Sequence, residues 1–202
     1  MTTAWRARFF EESDLFGPIR EVAGRFAADE TFPPPERIDE VLRDRAPVRF
    51  IRASQQDKAL YDARIVNERE VSTREGSWHD FLNALVWATF PLAKTALHRR
   101  QHQLVVPGAP NRSPEGDAVA MIDEGGVFCL GDPAPIIVFG HAIYEGLVLG
   151  RPVFAAGLAL GGSDDVDARA AKRIADRGFV RTSRDLLRID RQVLGDARDF
   201  LY

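Results

Sequence analysis

The sequence predicts a helix-rich α+β fold, a single domain in which a small β-hairpin packs beside a buried central helix. Three observations carry that expectation. Trp78 to Ala88 is apolar nearly all round, as a helix buried in a core must be. Stretches with apolar residues three and four apart flank it on both sides, which is the helical period. Asp117 to Asp123, then Glu124-Gly125-Gly126, then Val127 to Leu130 reads as two short strands about a glycine turn.

In chain order, residues 1–47 read as a helical scaffold, 48–160 as the motif-bearing core and 161–202 as C-terminal helices. Ser13 or Asp14 caps a helix whose stripe is Ile19, Val22, Ala23 and Phe26. After Phe32-Pro33-Pro34-Pro35, Pro34 or Pro35 opens a second helix that buries Ile38, Val41 and Leu42 and stops at Pro47. Val48 to Ile51 is a short strand at best, and Tyr61 to Val71 is read as a helix leading to a Thr73-Arg74 turn. Pro107 to Gly116 is the clearest loop, and Ile136 to Phe139 is too short for periodicity to assign. Ser163 or Asp164 caps a helix over about 165–177 that buries Val166, Ala170 and Ile174, and a last short helix is expected around Arg184 to Arg191.

With 202 residues, 45% hydrophobic and 28% charged, the chain is sized for one core. A net charge of −3 argues against a dedicated nucleic-acid binder. The early arginines and acidic residues break any signal-peptide core, and no apolar stretch reaches the roughly 18–20 residues of a membrane span. Cys129 is alone, so no disulfide framework exists and a cytoplasmic, soluble protein is expected; inside a strand Cys129 reads as core. The Gly161 to Asp167 stretch lacks the spacing of a calcium loop. There is no phosphate-binding glycine loop, dinucleotide fingerprint, Gly-x-Ser-x-Gly elbow or His-Glu-x-x-His pair.

The chemistry gathers between Trp78 and His102, which holds three of the four histidines. On a helix, His79, Asn83 and Trp87 share one line, and beyond the Phe90-Pro91 corner Lys94, His98 and His102 share another. If the two helices pack antiparallel, the two stripes face each other. Pro91 suits the first turn of the second helix, with Thr89 as its cap. Farther on, His141 and Glu145 again lie four apart, the spacing of an orienting pair.

Tyr61, Ile65, Thr73-Arg74, Trp78-His79-Asp80, Asn83, Trp87, Phe90-Pro91, Lys94, Asp123-Glu124, Gly126, Phe139-Gly140-His141 and Glu145 together resemble the motif pattern of the bacterial domain-of-unknown-function family 3025. The likeness spans about residues 61–145. It implies membership and no particular chemistry, since the family brings no activity with it. The chain departs from the pattern at His98, which stands in place of Asn, and in a shorter 126–139 segment; the first makes His98 a poor ligand.

Imidazole and carboxylate together suit zinc, manganese or iron, and a catalytic ion needs about three such ligands with one position left open. The leading expectation is a hydrolase-like pocket built from His79, Asp80, Asn83, Asp123 and His141. Glu145 orients His141, Arg74 or Lys94 binds an anionic substrate group, and Asp123, Glu124 and His102 are further candidate ligands for a divalent metal. Against it stands a non-enzymatic binding or structural protein whose polar motif organises the core; nucleic-acid processing through arginines is a third class. In the plainer reading Asp80 pairs with Arg74, Trp78 and Trp87 fill the core, and His98 and His102 lie with Arg99 and Arg100 on a solvated face.

Overall fold

Helix α4, Trp78–Thr89, buries every side chain from Phe81 to Ala88, and the other elements are arranged about it. The computed structural model describes residues 4–54, 61–106, 111–131, 135–162, 164–189 and 194. Ser77 starts α4 by accepting the Asp80 amide. The N-terminal segment closes over this end: the Trp5 ring stacks on Trp78 at 5.1 Å, and Phe9, Phe26 and Phe32 meet Trp78 or Phe81 edge-on. Each such ring removed from water contributes about 1.5–3 kcal/mol. The Ser13-capped stretch is a 3-10 helix, Asp14–Ile19, that runs on into α1, Arg20–Gly24, and Ile19, Val22, Ala23 and Phe26 are its buried stripe.

Pro34 precedes α2, Pro35–Leu42, which buries Ile38 and Leu42; Val41 is half-exposed. Buried Asp39 on α2 accepts the amide of Phe50 at 2.9 Å, tying the helix to strand β1, Arg49–Arg52. The Tyr61–Val71 expectation needs correcting at its end. Helix α3, Tyr61–Glu68, stops where Arg69 takes a positive φ of 57°, and Glu70–Thr73 is a strand, β2, parallel to β1. A parallel pair needs a crossover between its strands, and α3 belongs to that connection.

Helix α5, Pro91–Leu104, begins at Pro91 as expected but is not capped by Thr89, whose hydroxyl donates back to Leu85. Its cap comes from 75 residues away: the Asp167 carboxylate accepts the amides of Leu92 and Ala93 at 2.9 and 2.8 Å. Asp167 sits on α8, Val166–Ala175, which buries Ala170 and Ile174 and is itself capped by Asp165; Ser163 lies outside the described residues.

The hairpin expected over 117–130 is not there. Pro114–Gly125 is helix α6, and Asp123 and Glu124 lie in its last turn rather than at a strand tip. Ser113 accepts the Gly116 amide, Pro114 holds the first position and Glu115 and Asp117 fill the first turn, a complete helix start that outweighs the glycine pair. The expected loop is therefore helix from Pro114 onward; residues 107–110 lie outside the described residues. The hairpin that does form joins β3, Gly126–Cys129, to antiparallel β4, Ile136–Val138. It packs beside the central helix through Phe128, edge-on to Phe90 at the end of α4.

Helix α7, His141–Leu149, then carries the chain to β5, Ala156–Ala159, parallel to β3, and β6, Leu187–Arg188, completes the order β4-β3-β5-β6. The helix expected at 184–191 is instead a 3-10 turn, Ser183–Asp185, fixed by a Thr182–Asp185 capping box, followed by β6; residues 190 and 191 lie outside the described residues. Among the described residues no helix is long and apolar enough to cross a membrane.

Candidate functional site

Three elements converge where α4 begins, α6 ends and α7 begins. His79 projects from the first turn of α4, Glu124 from the last turn of α6, and His141 is the first residue of α7. The α6–α7 approach depends on glycine. A Cβ on Gly140 would collide with the Glu124 carbonyl and the Gly126 amide, and only the bare backbone lets the Gly140 amide donate to Gly126 at 2.8 Å. That contact brings His141 Nδ1 to 2.9 Å from the backbone carbonyl of Asp123.

The protons then follow from the partners. A carbonyl only accepts, so His141 Nδ1 carries the hydrogen and Nε2 presents a lone pair. Burial pushes the His141 pKa down to about 3, against the pull of Asp123, so this ring is neutral at ordinary pH. His79 Nδ1 lies 2.9 Å from the Glu145 carboxylate and donates to it; the same bond holds the His79 pKa above its ordinary value and that of Glu145 below. The two Nε2 atoms face one another at 3.1 Å. The Glu124 carboxylate is 3.4 Å from His141 Nε2, and one donor atom from each of His79, Glu124 and His141 lies within 4.8 Å of the others.

Beneath this triad runs a buried chain of hydrogen bonds. Lys94, wholly buried, donates to Asn83 Oδ1 at 2.8 Å and pairs with the Asp123 carboxylate. Burial works against ionised Asp123, but Lys94, with His98 and His141, outweighs it and holds the carboxyl well below its usual range. At the rim, Arg74 closes a two-pronged pair on Asp80, through Nε at 2.8 Å and Nη2 at 2.6 Å, while its amide donates to the same carboxylate. Burial disfavours the Asp80 charge as well, and the Arg74 bonds reverse that, leaving its pKa lowered.

A cavity of about 490 Å³ opens over the site, lined by Tyr61, Arg74, His79, Asp80, Asn83, Asp123, Glu124 and His141, with Ala53, Ser54 and Ser72 at its edge. The structure thus brings together His79, Asp80, Asn83, Asp123, His141 and Arg74 of the expected pocket, and adds Tyr61. Several placements differ from expectation. Glu145 bonds to His79 rather than to His141, because the first residue of α7 turns toward α6. Lys94 is enclosed beneath the cavity and does not line it. His102 sits in the last turn of α5, apart from the three-residue cluster. The Asp123 carboxylate is committed to Lys94, and its contribution at the triad is its carbonyl.

His98 is not on a solvated face: it is 1% exposed, stacks on Trp87 at 5.1 Å and meets Asp62 at 3.0 Å. The two stripes read from α4 and α5 do meet, through Lys94 with Asn83 and His98 with Trp87. Tyr61 has a signal in the sequence, its place at the head of the motif series, which a reading as helix start alone passes over.

No curated protein and no solved structure matches the chain. Residues 48–137, from β1 into β4, match a family model described as a protein of unknown function (DUF3025), a span that takes in α4, Asp123 and Glu124 and stops short of His141 and Glu145; over that span the chain resembles this family.

Proposed function

We propose that His79, Glu124 and His141 are the three protein ligands of a divalent metal ion, and that the centre serves a hydrolytic reaction on a small anionic substrate entering through the cavity. The observation that carries this reading is the 3.1 Å approach of two imidazole Nε2 atoms whose Nδ1 hydrogens are both committed to oxygen acceptors. Two lone pairs at that distance repel unless a cation lies between them. Ligand nitrogens about 2.0–2.1 Å from a tetrahedral ion stand roughly 3.3 Å apart, close to the separation seen. An imidazole whose far nitrogen donates to a carboxylate or a carbonyl is the usual arrangement of a metal-binding histidine.

Two imidazoles and a carboxylate suit zinc, with manganese and iron as neighbours in preference. A divalent ion held by these three residues would supply Lewis acidity for activating water near neutral pH and polarising a substrate oxygen. The chain's own residues do the rest. Glu145 and the Asp123 carbonyl fix the two rings, Asp80 braces Arg74, and Arg74 meets the negative charge of the substrate.

A shared proton is the second reading, favoured by the raised His79 pKa: an imidazolium bonded to its neutral neighbour inside a purely structural or ligand-binding core. Elemental analysis and zinc titration of the wild type, His79→Ala and His141→Ala, beside thermal melts, separate the two. The metal reading expects about one ion per chain in the wild type and none in either variant. No zinc uptake by the wild type, or undiminished uptake by both variants, contradicts it.

A further inference from the structure

Asn83 stands between a lysine and a tyrosine, and the lysine decides which way its amide points. An ammonium group only donates, so the atom 2.8 Å from Lys94 Nζ is the Asn83 oxygen, and the amide nitrogen is left to face Tyr61. That nitrogen donates to the Tyr61 hydroxyl oxygen at 3.3 Å. The Tyr61 hydrogen therefore cannot point at Asn83, and no acceptor for it is found among the described residues, although the ring lines the cavity over the metal triad. Burial and nearby carboxylates raise the Tyr61 pKa, so the phenol keeps its proton. Arg74 lines the same cavity with donors to spare: Nε and Nη2 are held by Asp80, and Nη1 has no partner among the described residues.

We infer that Tyr61 is a hydrogen-bond donor to the substrate, that the group it meets is a phosphoryl oxygen held jointly by the His79–Glu124–His141 centre and Arg74, and that Asn83 and Lys94 are positioning residues that fix the direction of the Tyr61 hydrogen. The inference rests on the metal reading and adds the substrate class. Two donors, Tyr61 on α3 and Arg74 after β2, together with the metal centre suit a tetrahedral oxyanion, which offers an oxygen to each, better than a planar carboxylate, which offers two. The planar fork of arginine matches phosphate oxygens in the same way.

The test is calorimetric titration of inorganic phosphate into the zinc-loaded protein and into the protein as purified. Tyr61→Phe removes one oxygen and leaves the ring. It is expected to weaken phosphate binding about tenfold, the size of one hydrogen bond to a charged group, and to leave zinc affinity unchanged. Asn83→Asp still accepts from Lys94 but now also accepts from Tyr61, turning its hydrogen away from the cavity. It too is expected to weaken phosphate binding, and its effect is expected to shrink in the Tyr61→Phe background, where no hydrogen is left to turn. If the negative charge introduced by Asn83→Asp simply repels phosphate, the loss persists in that background and the positioning roles fall. Phosphate binding unchanged by Tyr61→Phe, or no phosphate binding by the wild type in either form, overturns the inference. Zinc binding that fails in the wild type while phosphate binding still depends on Tyr61 overturns the metal reading and the centre's share in holding the phosphoryl group, and leaves the Tyr61 donor role standing.

Discussion

Arg100 and the facing imidazoles are both polar groups set among apolar side chains, and they are treated in opposite ways. The Arg100 guanidinium, 3% exposed, is enclosed by acceptors: Glu115 at 3.0 Å, the Ile174 carbonyl at 2.7 Å and the Val180 carbonyl. It clamps α5 to α6 and to the turn after α8. Lys94, six residues earlier on the same helix, is likewise met by Asn83 and Asp123. His79 and His141 turn their remaining ring nitrogens to each other at 3.1 Å beside a cavity. A buried group with its full set of partners needs no ligand to explain it. On the metal reading proposed above, the facing pair beside an open cavity does.

The difference can be broken from the structural side first. Lys94→Ala leaves the Asp123 carboxylate inside the protein without its cation and is expected to lower unfolding free energy by about 3–5 kcal/mol in urea titration. Arg100→Ala leaves the Ile174 and Val180 carbonyls without their donor while Glu115 keeps Arg177, and a loss of about 1–3 kcal/mol is expected. A loss below about 1 kcal/mol would mean that these clusters are not the scaffold described. From the functional side, His141→Ala is expected to abolish zinc uptake. Its effect exceeds the roughly 10–100-fold that loss of an orienting partner causes. Glu145→Gln is that orienting case: it keeps the bond to His79 but weakens the ring as a ligand, and zinc affinity should fall about tenfold in competition with a chelator.

The smallest effect is in acid. Bonds to Arg177 and then Arg100 hold the Glu115 pKa below its usual value, so its contribution to stability is fully present above the ordinary glutamate pKa of about 4.3 and is lost as pH falls through the lower folded value. The melting temperature of Glu115→Gln should therefore approach that of the wild type below pH 4 and lie beneath it at pH 7.

Much of this contrast was legible in the sequence, and the exceptions have physical reasons. An all-round apolar run forced α4 into the core, and four-residue spacing put His79 and Asn83 on one face. Arg100 was hidden inside a basic run that reads as solvated. Yet Ala93, Leu97 and Arg100 follow the helical spacing of a single buried face, so periodicity marked Arg100 where charge concealed it. The glycines at 125 and 126 drew 117–130 toward a hairpin although Ser113-Pro114-Glu115 announced a helix. Moving Glu124 from a turn tip to a helix end is what sets it beside His141. No local pattern could assign Glu145 to His79, because that bond spans 66 residues and depends on how α7 docks.

The most direct measurement is zinc-edge X-ray absorption on the wild type loaded with one equivalent of zinc. A first shell of two imidazole nitrogens with oxygen donors is expected, and loss of the bound zinc in His79→Ala. An all-oxygen shell, or the same two imidazoles after that substitution, would contradict the metal reading.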